Sequence, residues 1–435
     1  MNTLTKITSV TLVLLATIVF LAMSSSTSSA AFTGSDPAGA DIGWVMTASL
    51  LVFLMVPGIA FFYGGMLRKQ SMTSMMAQTL IAVGVMTLSW VILGYSLAFG
   101  STGGIIGTLD YIFMNGLDDG TGSYSALQFA TFQMMFAILT AAIILGACAE
   151  RVRFVTITWF LVFWGIFVYV PMAHWVWGGG FESLGLTVLD FAGGDVVHIC
   201  AAVTGLALVL FVGPRHDSTR KTRAHNIPFA FLGAMLLWVG WFGFNGGSGL
   251  AANGQAVHAM FVSQLAAAAG MVAWAVCQYV VVGRVGVLGL ISGGIAGLVA
   301  ITPGAGYVGT PAAFVIGLIG GALCFFTVRY FHRKDKFDDA LDVFGIHGIG
   351  GIWGGIATGL FAESRFTGGI DGLIYGGTDL FAGQLCAIAI TVVFCFAVSY
   401  AIIFILSKFM AVRIPDAEEL IGQDIVEHGE PSYFN

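Results

Sequence analysis

The stretch DVFGIHGIGGIWGGIATG, residues 342–359, consists almost entirely of glycine and apolar residues, and one histidine interrupts it. Similar apolar segments recur along the whole chain, in which 57% of the 435 residues are hydrophobic and only 9% are charged. This composition excludes a soluble globular protein, and a segment of about 20 apolar residues is long enough to cross a bilayer as a helix. We therefore predict an all-α membrane protein with many spans.

The first thirty residues differ from the rest of the chain. Lys6 precedes an apolar run at 10–23, and the small-residue stretch SSSTSSAA follows at 24–31. This order is typical of a cleavable signal peptide, so we predict one over residues 1–30, removed near Ala30 or Ala31. The alternative is an uncleaved first transmembrane helix.

Eleven apolar spans follow, joined by short connections. They lie near 44–66, 72–100, 124–148, 153–177, 193–213, 227–247, 256–281, 286–302, 311–331, 343–362 and 381–408. Each is long enough to form a membrane-crossing helix. We predict eleven transmembrane helices within a membrane domain of residues 31–410.

Basic residues occupy alternate connections between these spans. One side carries Arg68, Lys69, Arg151, Arg153, Arg215, Arg220, Lys221, Arg223, Arg284, Arg329, Arg333, Lys334 and Lys336, and the other side carries Arg365 alone. By the positive-inside rule the basic side is cytoplasmic. We predict a cell-membrane (inner-membrane) protein whose mature N-terminus is outside and whose C-terminus is cytoplasmic.

Two sets of five spans plus one extra span suggest an internal repeat. Because five is odd, the two halves would have opposite orientations in the membrane. The fifth span opens DFAGGDVVH at 190–198, and the tenth opens DVFGIH at 342–347. The spacing from Asp to His differs, with eight residues in the fifth span and five in the tenth. The pattern therefore suggests two inverted five-helix repeats but does not establish them.

His198 and His347 are the two histidines placed deep inside spans. At helical rise they lie about 12 Å and about 7 to 8 Å past Asp190 and Asp342, towards mid-depth. Ionisable groups at this depth are costly and are default functional candidates. A facing pair could share a proton between the rings, since imidazole both donates and accepts. The alternatives are helix-to-helix hydrogen bonds and a haem with two histidine ligands.

Three aspartates accompany the histidines. Asp190 and Asp342 stand where helices begin, and a carboxylate there caps free amides and suits the helix dipole. Asp195, one turn before His198, either biases the protonation of that ring or also belongs to the helix entrance. We expect the capping role for Asp190 and Asp342.

Long ordered motifs resemble one known family. DFAGGDVVHICAAVTGLALVLFVGPR at 190–215 and FGIHGIGGIWGG at 344–355 resemble the ammonium transporters, the Amt/Mep/Rh proteins, and their bacterial and archaeal Amt members most of all. The resemblance extends to MLRKQS, AERVRF, PMAHWVWGGG, GWFGFNGGS and the ending HGE, at 66–71, 149–154, 171–180, 240–248 and 428–430. It covers nearly the whole mature chain.

The resemblance implies a homotrimer with one narrow pore in each subunit, which transports ammonium or ammonia and takes methylammonium. It implies a transporter and not an enzyme, and we expect no cofactor, metal or nucleic-acid partner. The family's outer recruitment site maps onto Phe132, Phe136, Trp177 and Ser248. Its phenylalanine gate maps onto Phe136 and Phe244, its pore histidines onto His198 and His347, and its structural aspartate, which also serves translocation, onto Asp190.

One residue departs from the family pattern. Asp195 fills a position where family members often have a small or hydroxyl-bearing residue. The titration of His198 is therefore left open, as is the choice between electrogenic ammonium transport and neutral ammonia conduction.

The tail, residues 411–435, is acidic. It holds Asp416, Glu418, Glu419, Asp424, Glu427 and Glu430 against Arg413 alone. By composition it is a solvated acidic segment. The family resemblance implies instead a cytoplasmic regulatory tail that takes part in blockade by PII-type signalling proteins. An ammonium sensor that signals through this tail is the alternative to a transporter.

Overall fold

The computed structural model describes residues 39–101, 103–117, 124–216, 224–333 and 337–433. The predicted signal peptide, residues 1–30, lies outside these ranges. The described residues form helices and loops, with two isolated β-bridges, Val152–Arg413 and Val308–Ala362. Eleven helices are long and apolar enough to cross a membrane: α1 Gly39–Met66, α2 Lys69–Phe99, α3 Ala126–Leu145, α4 Phe154–Trp177, α5 Gly194–Val212, α6 Ile227–Gly247, α7 Gly254–Val282, α8 Val287–Gly304, α9 Thr310–Phe331, α10 Phe344–Phe361 and α11 Thr378–Leu406.

The prediction of eleven apolar helices is confirmed. Helix α5 lies at the centre, with 83% of its most apolar window buried, whereas α2, α7 and α11 have only 33% buried and face outward. Four of the eleven helices contain a π-helical turn, at Trp90–Gly94, Gly165–Tyr169, Gly194–Ile199 and Phe344–Gly348. Such turns hold one extra residue and occur frequently at functional sites.

Glycines allow α7, α8 and α9 to pack with their backbones in contact. A Cβ atom on Gly321 of α9 would lie 2.3 Å from the carbonyl oxygen of Gly270 of α7. A Cβ atom on Gly270 would lie 2.8 Å from Cα of Gly297 on α8. Between membrane helices, small residues permit this close approach, because packing rather than hydrophobic burial holds the helices together.

The tail is docked on one face of the helical bundle. Its short helix α12, Asp416–Ile421, carries Glu419. The Glu419 carboxylate accepts a hydrogen bond from the backbone N–H of His216 at 2.6 Å and contacts the Arg413 guanidinium at 2.8 Å. Asp424 accepts from the backbone N–H of Ser74 at 2.8 Å. Both carboxylates are buried, so the interpretation of this segment as a solvated acidic run is wrong for Glu419 and Asp424: their partners are backbone N–H groups of the bundle and Arg413 of the tail itself.

Two buried carboxylates bind arginines beneath the tail. Glu150 contacts the guanidinium groups of Arg68 at 2.9 Å and Arg215 at 2.7 Å, and Asp338 contacts Arg215 at 2.8 Å. Burial would raise the pKa of the Glu150 carboxyl, but Arg215 and Arg68 together hold that pKa below its ordinary value. Burial would also raise the pKa of the Asp338 carboxyl, but Arg215 holds that pKa below its ordinary value.

The glycine contacts predict a sharp difference between two equivalent substitutions. Gly321→Leu should lower stability by about 1–3 kcal/mol, because the added side chain must displace the backbone of α7. Gly84→Leu on α2 should have little effect, because nothing lies within 4 Å of its Cβ position. Thermal unfolding in detergent measures both. Equal melting temperatures for the two variants would contradict the close packing of α7 and α9.

Removal of the Glu150 charge should destabilise the protein strongly. Glu150→Gln leaves Arg68 and Arg215 buried with one carboxylate fewer, a loss of about 3–5 kcal/mol. Because the folded pKa of Glu150 is lowered, its contribution is present above its ordinary pKa of 4.5 and disappears as the pH falls through the folded value. The gap in melting temperature between wild type and variant should therefore narrow on acidification below about pH 4.

A surface pair provides the control for this experiment. Glu363 pairs with Arg365; the Arg365 side chain is 66% exposed and the Glu363 side chain 15% exposed, so the pair is in contact with solvent. Exposed pairs contribute about 0–1 kcal/mol, so Glu363→Gln should barely change the melting temperature at any pH. A Glu150→Gln variant that behaves like Glu363→Gln would show that the buried cluster is not ionised.

Candidate functional site

The two candidate pore histidines are in direct contact. Nδ1 of His347 lies 3.3 Å from Nδ1 of His198, and the ring centroids are 5.2 Å apart. His198 is wholly buried and His347 is 8% exposed. With one Nδ1 protonated and the other not, the two neutral rings share a single proton. The sequence prediction of a facing pair thus agrees with the geometry.

Both histidines lie in π-helical turns where their helices begin. His198 is in the turn Gly194–Ile199 of α5, and His347 is in the turn Phe344–Gly348 of α10. Nε2 of His198 is buried and has no hydrogen-bond partner among the described residues. This nitrogen is available to a molecule that passes the ring.

A narrow apolar cavity surrounds the pair. Its volume is about 20 Å³, which is room for one molecule the size of water or ammonia. Apart from the two histidines, its lining is Met55, Ile59, Phe62, Tyr63, Leu139, Ile143, Leu237, Trp241 and Ile295. The histidines are the side chains in this lining whose ring nitrogens can either donate or accept a hydrogen bond.

The contact between the rings does not suit a haem. An iron atom between the rings would need two bonds of about 2 Å each, which would hold the nitrogens about 4 Å apart. The observed 3.3 Å is too short, and the cavity has no room for a porphyrin. In the described part of the chain, no group of three or more His, Cys, Asp or Glu side chains is arranged to hold a metal.

The four aromatic residues expected at the outer site and the gate form one cluster. Phe136 stacks on Phe244 with centroids 4.3 Å apart and planes 28° from parallel. Phe132 and Trp177 each meet Phe136 edge to face, at 4.8 and 5.8 Å. Phe244 continues onto the ring of His198 at 5.8 Å, so the stacked pair lies directly above the histidines.

The polar groups of the outer site are held by backbone oxygens. The hydroxyl of Ser248, one turn beyond Phe244, donates to the carbonyl oxygen of Phe244 at 2.8 Å, which leaves its oxygen lone pairs free to accept. The Trp177 indole N–H donates to the carbonyl oxygen of Asp190 at 2.9 Å. Trp177 is thereby fixed to the segment that starts α5.

Asp190 caps α5 with both oxygens. Its Oδ1 accepts from the backbone N–H groups of Gly193 at 2.8 Å and Gly194 at 2.6 Å, and its Oδ2 accepts from that of Asp195 at 2.8 Å. Gly193 adopts a φ of +109°, which a residue with a side chain rarely takes. This capping role agrees with the sequence-based expectation.

Asp342 does not cap α10, contrary to expectation. Its φ is +60° and its Oδ1 contacts Nε2 of His332 at 2.7 Å, so the carboxylate turns away from the helix. Asp339 takes the capping position, where its Oδ2 accepts from the backbone N–H of Phe344 at 2.7 Å. Asp190 and Asp339 each lie eight residues before their histidine in the sequence. In each of them, Oδ2 accepts a hydrogen bond from the backbone N–H of the residue five positions later.

Asp195 is buried beside another helix. Its carboxyl lies against Thr391 of α11, and its Oδ1 has no hydrogen-bond partner in the described ranges. Asp195 is absent from the lining of the histidine cavity. It belongs to the packing of α5 against α11 rather than to the pore wall.

Sequence reasoning missed Trp241 and Tyr63. Trp241 stacks on His198 at 5.4 Å, and its indole N–H donates to the hydroxyl of Thr302 at 3.0 Å. Its position three residues before Phe244 on one face of α6 was the available signal. Tyr63 lines the cavity from α1 and donates to the carbonyl oxygen of Ile143 at 3.3 Å, and no pattern in the sequence distinguishes it from other aromatics.

Known proteins resemble this chain in both sequence and structure. The family model described as Ammonium Transporter Family matches residues 43–433. An ammonium transporter of Bacillus subtilis (strain 168) is 46% identical over 398 residues, which are 90% of this chain and 98% of the relative. The crystal structure of Saccharomyces cerevisiae Mep2 superposes with a TM-score of 0.80 at 33% identity, covering 89% of this chain and 97% of Mep2. A structure described as a sensor Amt protein has a TM-score of 0.82 at 28% identity, covering 89% and 98%. The chain belongs to the ammonium transporter family.

Proposed function

We propose that the protein recruits ammonium at Trp177, Ser248 and Phe136, removes a proton near the Phe136–Phe244 gate, and conducts ammonia past His198 and His347. The observation that carries this proposal is the 3.3 Å histidine contact inside an apolar cavity, directly below the stacked phenylalanines. The cavity has room for one small molecule, and the histidines provide the polar groups that can hydrogen-bond to it.

Electrostatics favours ammonia over the intact cation in the pore. The idealised cost of moving a small ion from water into a low-dielectric interior is on the order of 20 kcal/mol. Cation–π attraction to an aromatic face offsets only about 0.5–2 kcal/mol of this desolvation cost. The cation can therefore bind at the Trp177 and Phe136 rings but not continue intact. Potassium has no proton to lose, so the same apolar wall excludes it.

The proposal includes the arrangement of the chain in the membrane. The equal spacing of Asp190 and Asp339 from their histidines, with the same i+5 hydrogen bond, supports two inverted five-helix repeats followed by α11. The alternating basic connections support a mature N-terminus outside and a cytoplasmic tail in the cell membrane. Membership of the family supports a homotrimer with one pore per subunit and transport of methylammonium.

Transport currents test the proposal directly. In liposomes, a fast ammonium jump should give a transient current if net charge crosses, and His347→Leu should abolish it or convert it to a potassium leak, because the ring that exchanges or guards the proton is gone. Absence of current with intact uptake of labelled methylammonium would mean neutral ammonia conduction.

A matched histidine variant controls for indirect effects. His258 lies at the end of the protein that carries Ser248, where its Nε2 contacts the carbonyl oxygen of Val308 at 2.9 Å, and it is outside the pore lining. His258→Gln should leave uptake and current at wild-type levels. Wild-type uptake and potassium exclusion in His347→Leu would contradict the role proposed for the histidine pair.

A sensor function is the second candidate. The observation that favours it is the tail, whose buried Glu419 and Asp424 link it to the ends of the membrane helices. Ammonium bound in the pore could change these contacts. Transport is the stronger proposal because the outer aromatic cluster, the stacked phenylalanines and the histidine pair are in contact with one another, and fast ammonium-dependent flux in the liposome experiment would support it.

The docked tail also motivates the proposed PII-type partner. Arg153 binds Glu427 at 2.9 Å and Glu418 at 3.0 Å, which fixes the tail against the start of α4. A PII protein that approaches this face meets an ordered surface. A cognate PII protein should co-purify with the full chain and not with a chain that ends before Ala411. Equal recovery with both chains would show that the tail is not required.

A further inference from the structure

A second cavity lies beside Trp177, where the connections after α2 and α4 meet. Its volume is about 450 Å³, and its lining includes Phe99, Ser101, Glu182 and Ser183 as well as Trp177. Glu182 and Ser183 are exposed, so this outer cavity opens to solvent. Among the described residues, none lines both the outer cavity and the histidine cavity. Trp177 belongs both to the outer cavity and to the aromatic cluster above the histidines.

Hydrogen bonds between the two connections hold the wall of the outer cavity. The hydroxyl oxygen of Ser183 accepts from the backbone N–H of Gly104 at 3.1 Å. The indole N–H of Trp175 donates to the carbonyl oxygen of Ile105 at 2.8 Å. Glu182 directly precedes Ser183, so its backbone is fixed at the rim of the cavity while its side chain stays in contact with solvent.

The charge of Glu182 is not neutralised by the protein. Within the described residues its carboxylate makes no hydrogen bond or ion pair. The connections on this face contain one basic residue, Arg365, and its guanidinium lies 2.6 Å from the carboxylate of Glu363. The Glu182 carboxylate is therefore available to a mobile cation from the solution.

The outer cavity suits a cation that keeps its water. A carboxylate attracts cations from solution, and so does the face of an indole ring. A water molecule occupies about 30 Å³ in the liquid, so the outer cavity has room for ammonium together with water molecules around it. The cavity of about 20 Å³ at the histidine pair has room for one small molecule only. A cation thus enters the outer cavity without the cost of dehydration.

We propose that the outer cavity collects hydrated monovalent cations through the Glu182 carboxylate and supplies ammonium to the Trp177 ring. The inference rests on the proposed function and adds a step before recruitment. Because the cation keeps its water, the outer cavity attracts potassium as well as ammonium. Selection between them begins only deeper, where ammonium loses its proton.

Salt-dependent uptake tests the role of Glu182. At low ionic strength, Glu182→Gln should raise the half-saturating concentration of methylammonium about two- to five-fold, because the cation is less concentrated beside Trp177. The maximal rate should not change, since the pore is untouched. The difference should disappear in about 1 M sodium chloride, where charges are screened within about 3 Å. Glu182→Asp, which keeps the charge, should resemble wild type.

Glu363→Gln is the matched control for uptake. It removes the same charge from the same face, but Glu363 does not line the outer cavity. Its half-saturating concentration should equal that of wild type at low ionic strength. An unchanged value in Glu182→Gln, or an equal rise in both variants, would overturn the proposal, because the attraction would then be absent or would belong to the whole face.

Fluorescence quenching tests the outer cavity without transport. Caesium is a monovalent cation that quenches indole fluorescence on contact, and acrylamide is a neutral quencher. At low ionic strength, Glu182→Gln should be quenched less by caesium than wild type and equally by acrylamide. This difference should vanish when both proteins also carry Trp177→Phe, because the quenched ring is then absent.

The two measurements separate the inference from the proposed function. Equal caesium quenching of wild type and Glu182→Gln would overturn the inference even if transport is normal. Absence of ammonium-dependent flux in the wild-type protein would overturn the proposed function, and caesium quenching would still decide whether Glu182 attracts cations to Trp177.

Discussion

The contact between the two imidazole rings sets the requirements for the rest of the structure. Ionisable rings inside an apolar wall are stable only as a hydrogen-bonded neutral pair, so α5 and α10 must begin within the bundle and bring their first turns together. Free amides at those beginnings are then buried and must be capped, which Asp190 and Asp339 do. Gly351 of α10 lets the two helices meet, since a Cβ there would lie 2.9 Å from the Ile199 side chain.

Aromatic rings continue from the histidine pair to the outer cluster. Trp241 and Phe244 lie against the ring of His198, and Phe136 lies on Phe244, so apolar faces separate the histidines from the outer cluster. Trp177 joins the cluster to the segment that caps α5. The proposed binding surface for a cation and the apolar wall below it are therefore parts of one stack of rings.

Much of this could be predicted from the sequence. The eleven spans were predictable because a membrane helix must satisfy its backbone internally and be apolar over about 20 residues. The histidines stood out because ionisable side chains are rare in such spans. The cap of α5 by Asp190 was predictable, but the capping residue of α10 was not. Asp338, Asp339 and Asp342 are all acids near the start of α10, and only the backbone turn at Asp342 decides which one faces the helix. Nor can composition show that the acidic tail finds arginine and amide partners on the bundle, such as Arg153 and the backbone N–H of His216.

The π-helical turns of α5 and α10 set the direction of each histidine ring. One extra residue in a helical turn rotates everything beyond it by about 100° without changing the lipid-facing length appreciably. In α5 and α10 the turn that holds the extra residue also carries the histidine. The orientation of the ring is thereby separated from the packing of the remaining helix, so the glycine-rich faces and the histidine can be placed independently.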